Sequence, residues 1–245
     1  MVNLKSYTLI IMKTIGIVGG LGPEATMDYY KEMISLVNSR SSDGNLTYPE
    51  IIIYSVNMAR FIGYLDAKDY PAAVSYISGC ISKLEYAGAD FAAISANTPH
   101  LLFNEIQQRV QIPLISIVET CLNRAKQMGL KQCGLFGTRF TMNADFYQQV
   151  FEPEGIRIII PEKKEIDRIN ELLFTELELG IFKESTRKEL LDIVQKMKDM
   201  HHIDALILGC TEFPIMFTEE QYLGIPFLNT TRIHVEEIIR HSTGR

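Results

Sequence analysis

The feature that most constrains this chain is a repeated change of hydrophobic period. Short runs rich in Ile, Val, Leu and Ala alternate with longer stretches whose apolar residues recur every three or four positions. The short runs, at 14–19, 50–57, 90–96, 113–117, 132–137, 156–161, 205–209 and 226–229, have the length and branching of strands. Ile51-Ile52-Ile53 and Ala205-Leu206-Ile207-Leu208 carry no polar alternation, the pattern of strands covered by helices on both faces. Between the runs, Tyr30, Met33, Ile34 and Val37 form one helical stripe after Pro23. Val74, Ile77, Ile81 and Leu84 form another, stopped by Gly88. This order predicts an α/β fold built on doubly wound parallel sheets.

The pattern also repeats. Residues 15–20 read Ile-Gly-Ile-Val-Gly-Gly, and residues 133–138 read Cys-Gly-Leu-Phe-Gly-Thr, placing Gly137 118 positions after Gly19. Ala96-Asn97-Thr98 is answered 114 positions later by Cys210-Thr211-Glu212. Two nearly equal offsets predict two similar halves, 13–112 and 113–227, with 228–245 packing back on the first and 1–12 as an extension. Met12 is a candidate alternative start. No Pro/Gly/Ser-rich linker separates the halves, so they are expected to enclose a shared cleft. Ligands in such sheets bind at the carboxyl ends of strands, where all four of these turns fall.

Charge and composition remove several function classes. With 24 basic and 30 acidic residues the net charge is −6, so the chain lacks the general basic field that gathers nucleic acid or anionic membrane. The apolar stretch 7–12 is too short to span a bilayer or to form a signal-peptide core. A soluble, cytoplasmic protein is expected. Four cysteines form no CxxC pair and five histidines no HExxH, so neither a disulfide framework nor a metal site is expected.

Four places carry candidate chemistry. The turn at 19–26 loosely matches a dinucleotide fingerprint through Gly20, Gly22 and Ala25, but the next strand ends in Asn57 rather than an acid for a ribose. It reads as a tight turn, or as free N–H groups of Gly20 and Gly22 holding a substrate carboxylate at a helix start. Cys210 ends an apolar strand where a helix is expected to begin, and helix N–H groups there would lower its thiol pKa. Cys80, Cys121 and Cys133 read as core fillers. Asn97 and Thr98 suit a carboxylate or an ammonium, or a helix cap. His100 is either a proton relay or a capped surface residue.

These residues together resemble the PLP-independent amino-acid racemases of the aspartate/glutamate racemase superfamily. The matching segments are 15–26, 88–90, 97–100, Gly137-Thr138 with Thr141, 209–214 and 230–234, in family order over roughly 13–240. The resemblance implies two pseudo-symmetric α/β domains with the active site between them. It also implies a homodimer, a small amino-acid substrate, and no PLP, metal or nucleotide. Two cysteines would flank the substrate Cα, one removing its proton while the other protonates the opposite face. The second cysteine falls on Cys210; the first falls on Ala96, which cannot exchange a proton.

Single-cysteine relatives handle one enantiomer preferentially or decarboxylate substituted malonates. The rivals to racemisation of aspartate or glutamate are therefore a single-cysteine decarboxylase or isomerase, and a silent amino-acid-binding protein. The resemblance further implies substrate contacts from Asn57, Arg60, Asn97, Thr98, Thr138, Thr141, Lys183 and Thr211. A family lysine slightly upstream of Lys183 would fall on Glu178, and Asn229 stands where many members have aspartate.

Overall fold

The computed structural model describes residues 12–40 and 47–244. Of the expected extension, only Met12 lies among them. The strands are β1 (Ile15–Gly19), β2 (Ile51–Ser55), β3 (Phe91–Ile94), β4 (Leu114–Ile115), β5 (Gln132–Gly137), β6 (Arg157–Ile159), β7 (Ala205–Gly209), β8 (Gln221–Tyr222) and β9 (Ile225–Asn229). They form two sheets, ordered β2-β1-β3-β4 and β6-β5-β7-β9-β8. Every pairing is parallel except that of β8 with β9. The two orders are the same apart from the antiparallel β8 edge, a two-residue Gln-Tyr strand with too little apolar pattern to stand out in the sequence.

All eight expected strands form, with corrections of detail. Ile51–Ile53 is not covered on both faces: β2 is an edge strand, and Ile53 is 40% exposed. In the helix Pro23–Arg40 the inward stripe is Ala25, Tyr29 and Met33, while Tyr30 points out. The stripe from Val74 to Leu84 is buried throughout. Strand β4 pairs with β3 in the first sheet, so the chain leaves the first sheet after Ile115 rather than at 112/113.

Each sheet is covered on both faces. On the first, Val74, Ile77 and Ile81 pack with Val18, Ala92 and Ile94, while Val235, Ile238 and Ile239 pack with Ile15, Ile17, Phe91 and Ala93 on the other face. The second set comes from the final helix, Thr230–Thr243, which follows β9 of the second sheet. Reciprocally, the helix Ile117–Gln127 follows β4 of the first sheet and packs Ile117, Val118, Cys121 and Ala125 on Cys133, Leu135 and Ile207 of the second. Each half thus lends a helix to the other. Nearly every apolar side chain of these two helices is fully buried, at a gain of about 1.5–3 kcal/mol each. No helix among the described residues is long and apolar enough to cross a membrane.

Two buried histidines tie this exchange together. His100 Nδ1 donates to the Ala96 carbonyl (3.0 Å) and its Nε2 accepts from Ile117 N–H (3.2 Å). His234 Nε2 donates to the Ile115 carbonyl (2.9 Å) and its Nδ1 accepts from Tyr29 (2.9 Å). Both rings therefore use both nitrogens as neutral imidazoles. His100 is neither a relay nor a surface residue; it is 4% exposed and stacked on Phe103.

Two predictions follow from this packing. Burial, with the neighbouring His234 in the case of His100, lowers His100 to about 3 and His234 to about 4. An unfolded histidine titrates at about 6.5, so as pH falls below that value the unfolded chain takes up protons the folded one refuses. Stability is expected to drop from pH 7 to 5 while the 15N shifts of both rings stay neutral; a ring protonating near 6.5 contradicts this. Separately, Gly20 has φ +80°, and a Cβ there would lie 2.6 Å from Ser55 Oγ and the Val56 carbonyl. Gly20→Ala is expected to lose more than about 2 kcal/mol in urea unfolding, and an unchanged midpoint would refute it.

Candidate active site

The carboxyl ends of the two sheets meet. In the first sheet Val18 lies beside Ile94, and in the second Gly137 lies beside Gly209. With Gly19 matched to Gly137, these registers make Ala96 and Cys210 structural counterparts. The two ends are joined by side chains. Asn97 accepts from the Tyr147 hydroxyl (2.7 Å) and donates to Thr230 Oγ1 (3.3 Å), which in turn donates to the Leu208 carbonyl (2.8 Å). Thr98 Oγ1 lies 3.5 Å from Thr141 Oγ1, itself 3.2 Å from Thr138 Oγ1. Thr141 packs where a Cβ on Gly137 or Gly209 would stand, at 2.7 and 3.3 Å, so glycine at both positions lets the threonine in.

Cys210 follows β7 and is 9% exposed. One side of it packs among core residues of the second half, including Phe136 and Phe213. Its Sγ donates to Glu212 Oε2 at 2.9 Å, and Thr211 Oγ1 lies 3.0 Å from both Glu212 oxygens. A carboxylate oxygen of Glu178, in the 3-10 turn Leu177–Leu179, completes a triangle whose donor atoms lie within 4.8 Å of one another. It is the one grouping, among the described residues, of three or more His, Cys, Asp or Glu donors close enough to share a cation.

This environment reverses the expected thiol chemistry. The helix after Cys210 starts only at Phe213 and ends at Met216, so the thiol does not sit at the start of a substantial helix. Burial first, and then the charge and hydrogen bond of Glu212, push the Cys210 thiol well above its ordinary range. Although Glu178 as a residue is exposed, its carboxyl end is desolvated against Glu212 and is pushed up to about 7. The resting thiol is protonated.

The other expected site residues divide. Ala96, Thr98, Thr138 and Thr211 are half-buried beside the meeting strand ends. Thr141 is fully buried beneath them, its hydroxyl beside those of Thr98 and Thr138. Asn97 spends its amide on Tyr147 and Thr230, which makes it a tie between the halves. Gly20 N–H donates to Thr26 Oγ1 (2.8 Å), so it is not free for a carboxylate; Gly22, at φ +102°, shapes the same turn. Asn57 caps the helix Met58–Asp66, and Arg60 donates to the Tyr64 hydroxyl (2.8 Å) with its guanidinium 4.7 Å over Tyr76. Lys183 pairs with Glu176 at 2.8 Å. Asn57, Arg60 and Lys183 share no hydrogen bond or ion pair with the residues around Cys210. Sequence reasoning missed the parts played by Glu178, Glu212, Tyr147 and Thr230. Glu212 had a signal, two positions past the cysteine; Tyr147 had none.

Comparison with known proteins fits this geometry. A family model described as Asp/Glu/hydantoin racemase matches residues 18–238. The broad specificity amino-acid racemase RacX of Bacillus subtilis (strain 168) is 31% identical over 147 residues, 59% of this chain and 63% of RacX, so the match spans under two thirds of that relative. The glutamate racemase of Aquifex aeolicus (strain VF5) is 23% identical over 191 residues, 76% of this chain and 71% of that protein. The crystal structure of an aspartate racemase homologue from Pyrococcus horikoshii OT3 superposes with a TM-score of 0.82 at 31% identity, covering 95% of this chain and 100% of that one.

Glu212 raises both of its acidic neighbours, so Glu212→Gln is expected to lower both. The pH profile for alkylation of Cys210 should move to lower pH, and the Glu178 carboxyl, followed by 13C NMR, should titrate below 7. A profile that stays in place or moves upward contradicts the arrangement.

Proposed function

The chain belongs to the Asp/Glu/hydantoin racemase family, and on that premise we propose that it inverts an amino acid at Cα without a cofactor, with Cys210 as acid/base. One observation carries the reading: the Cys210 thiol stands where the two sheets meet, with a carboxylate acceptor 2.9 Å away. Before it can remove a Cα proton the thiol must ionise, and Glu212 Oε2 is placed to receive its proton. An incoming α-ammonium offsets the negative charges that hold the thiol protonated, so substrate itself promotes the ionisation. The thiolate then takes the Cα proton, and the hydroxyls of Thr98 and Thr138 donate to the α-carboxylate as charge spreads onto it, while Thr211 keeps its proton on Glu212.

Return of a proton to the opposite face falls to the first half. Its structural counterpart to Cys210 is Ala96, and His100 is committed to backbone partners, so the donor there is water or the Thr98 hydroxyl. A thiol on one face and a weaker acid on the other make the two directions unequal. Aspartate or glutamate is the substrate that the resemblance implies; each brings a second carboxylate and calls for a cation beside the thiol. The same reading takes the protein as a cytoplasmic homodimer, with sedimentation expected to give twice the chain mass.

Incubation with single enantiomers in D2O tests the chemistry. Inversion with Cα deuteration is the expected result, and Cys210→Ser should reduce it by about 10²–10⁴-fold. Exchange without inversion would favour the one-base reading that Ala96 suggests, and so a decarboxylase or isomerase. Binding with neither exchange nor inversion would make the protein a silent amino-acid binder.

A further inference from the structure

The second half carries a cavity that the chemistry at Cys210 does not use. It lies just past the carboxyl end of β6, at the edge of the sheet, and has a volume of about 540 Å³. That is within the ~300–1,000 Å³ of small-molecule sites. Ile160, Pro161 and Ile166 supply its apolar wall, and Arg139, Lys163 and Asp167 its charge. None of the six shares a hydrogen bond or ion pair with Cys210, Thr211, Glu212 or Glu178. Arg139 meets Asp167 through Nη2 and Oδ1 at 3.0 Å, with both side chains about half exposed. A pair so open to water contributes little and yields readily to a ligand with better partners. Lys163 has no ion pair among the described residues, because its acidic neighbours Glu162 and Glu165 are taken by Lys196. The cavity thus sets one unmatched positive charge and one weak pair of opposite charges beside an apolar wall.

We propose that this cavity is a second amino-acid site, taking a zwitterion with a large apolar side chain of the phenylalanine and leucine class, and that its occupancy is felt at Cys210. The α-carboxylate pairs with Lys163 and Arg139, the α-ammonium with Asp167, and the side chain packs on Ile160, Pro161 and Ile166. A simple anion would satisfy the two cations but crowd Asp167 with like charge; a zwitterion matches all three. Two tethers run from the cavity to the cleft. Arg139 opens the helix Arg139–Asn143, whose cap is Thr138, and its backbone N–H donates to Asn170 Oδ1 (2.9 Å) of the helix Lys163–Thr175. That second helix leads directly into the 3-10 turn Leu177–Leu179, which carries Glu178. A ligand that draws Arg139 and Lys163 together therefore acts on Thr138 through one helix and on Glu178 through the other.

Lys163 and Asp167 are exposed, so their replacement opens no core. The full chain, Lys163→Glu, Asp167→Lys and Cys210→Ser are titrated with L-phenylalanine, by calorimetry and by amide NMR. Saturable binding is expected in the unmodified protein, with shifts at Arg139, Lys163 and Asp167. Lys163→Glu and Asp167→Lys should each weaken it by about tenfold or more, and so should removal of either ligand charge, in 3-phenylpropionate or in phenylalaninamide. Cys210→Ser should bind as the parent does. The link to the cleft is read from iodoacetamide alkylation of Cys210, followed on its peptide by mass spectrometry. Saturating phenylalanine should change that rate by about fivefold or more in the parent and leave it unchanged in Lys163→Glu. No binding, binding that survives both substitutions, or 3-phenylpropionate binding as well as phenylalanine would overturn the site. Shifts confined to Thr98, Thr138 and Cys210 would do the same, by placing the amino acid in the cleft. An unchanged alkylation rate in the parent would overturn the link. None of these outcomes requires turnover, so the racemase reading stands or falls separately in D2O.

Discussion

The structure depends on a polar seam between two sheets whose carboxyl ends face each other. Asn97, Tyr147, Thr230 and the Leu208 carbonyl form a continuous chain across it, and Thr98, Thr141 and Thr138 form a second. Such groups are tolerated inside a protein because they satisfy one another; a shift of one half would leave several unsatisfied at once. The seam therefore sets the register of the halves more sharply than apolar packing could. It also ties the end of β7, through Thr230 and the Leu208 carbonyl, to Asn97 of the first half, while the polar neighbours of Cys210, namely Thr211, Glu212 and Glu178, come from the second half itself.

The chemical asymmetry is set at the strand ends themselves. The strand registers put Ala96 and Cys210 at equivalent points of the two halves, yet only one has a proton to give. Around that one, Glu212 and Glu178 create a field that favours the neutral thiol. A protonated resting thiol is no obstacle to acid/base chemistry if the charge of the substrate offsets the field. In the proposed mechanism it makes the first proton transfer conditional on the bound α-ammonium, so that binding and activation become a single electrostatic event.

Much of the fold was readable from period alone. Continuous apolar runs located eight strands, and the near-equal offsets reflected two sheets of the same order. The misreadings have local causes. The Ile51–Ile53 run looks central because apolarity reports burial only on average, whereas β2 lies at an edge. Tyr30 and Tyr29 are adjacent and chemically identical, and only the path of the helix over the sheet decided which one faced His234. The polar pair of β8 carried no signal. At the site, the position of Cys210 was legible from the apolar strand before it and the polar triplet it opens, but the direction of its pKa was not.

What the sequence determined by itself was the set of elements and their repetition, because hydrophobic period and glycine placement act over a few residues. The tertiary structure alone decided the electrostatics of the thiol. Glu178 is 32 positions from Cys210 along the chain, and only the folding of the second half brings its carboxylate within 4.8 Å of the sulfur. Likewise the helices Ile117–Gln127 and Thr230–Thr243 have ordinary amphipathic patterns, and nothing local says that each will cover the sheet of the other half. Charge–charge effects and helix exchange depend on distance in space, which the order of residues does not record.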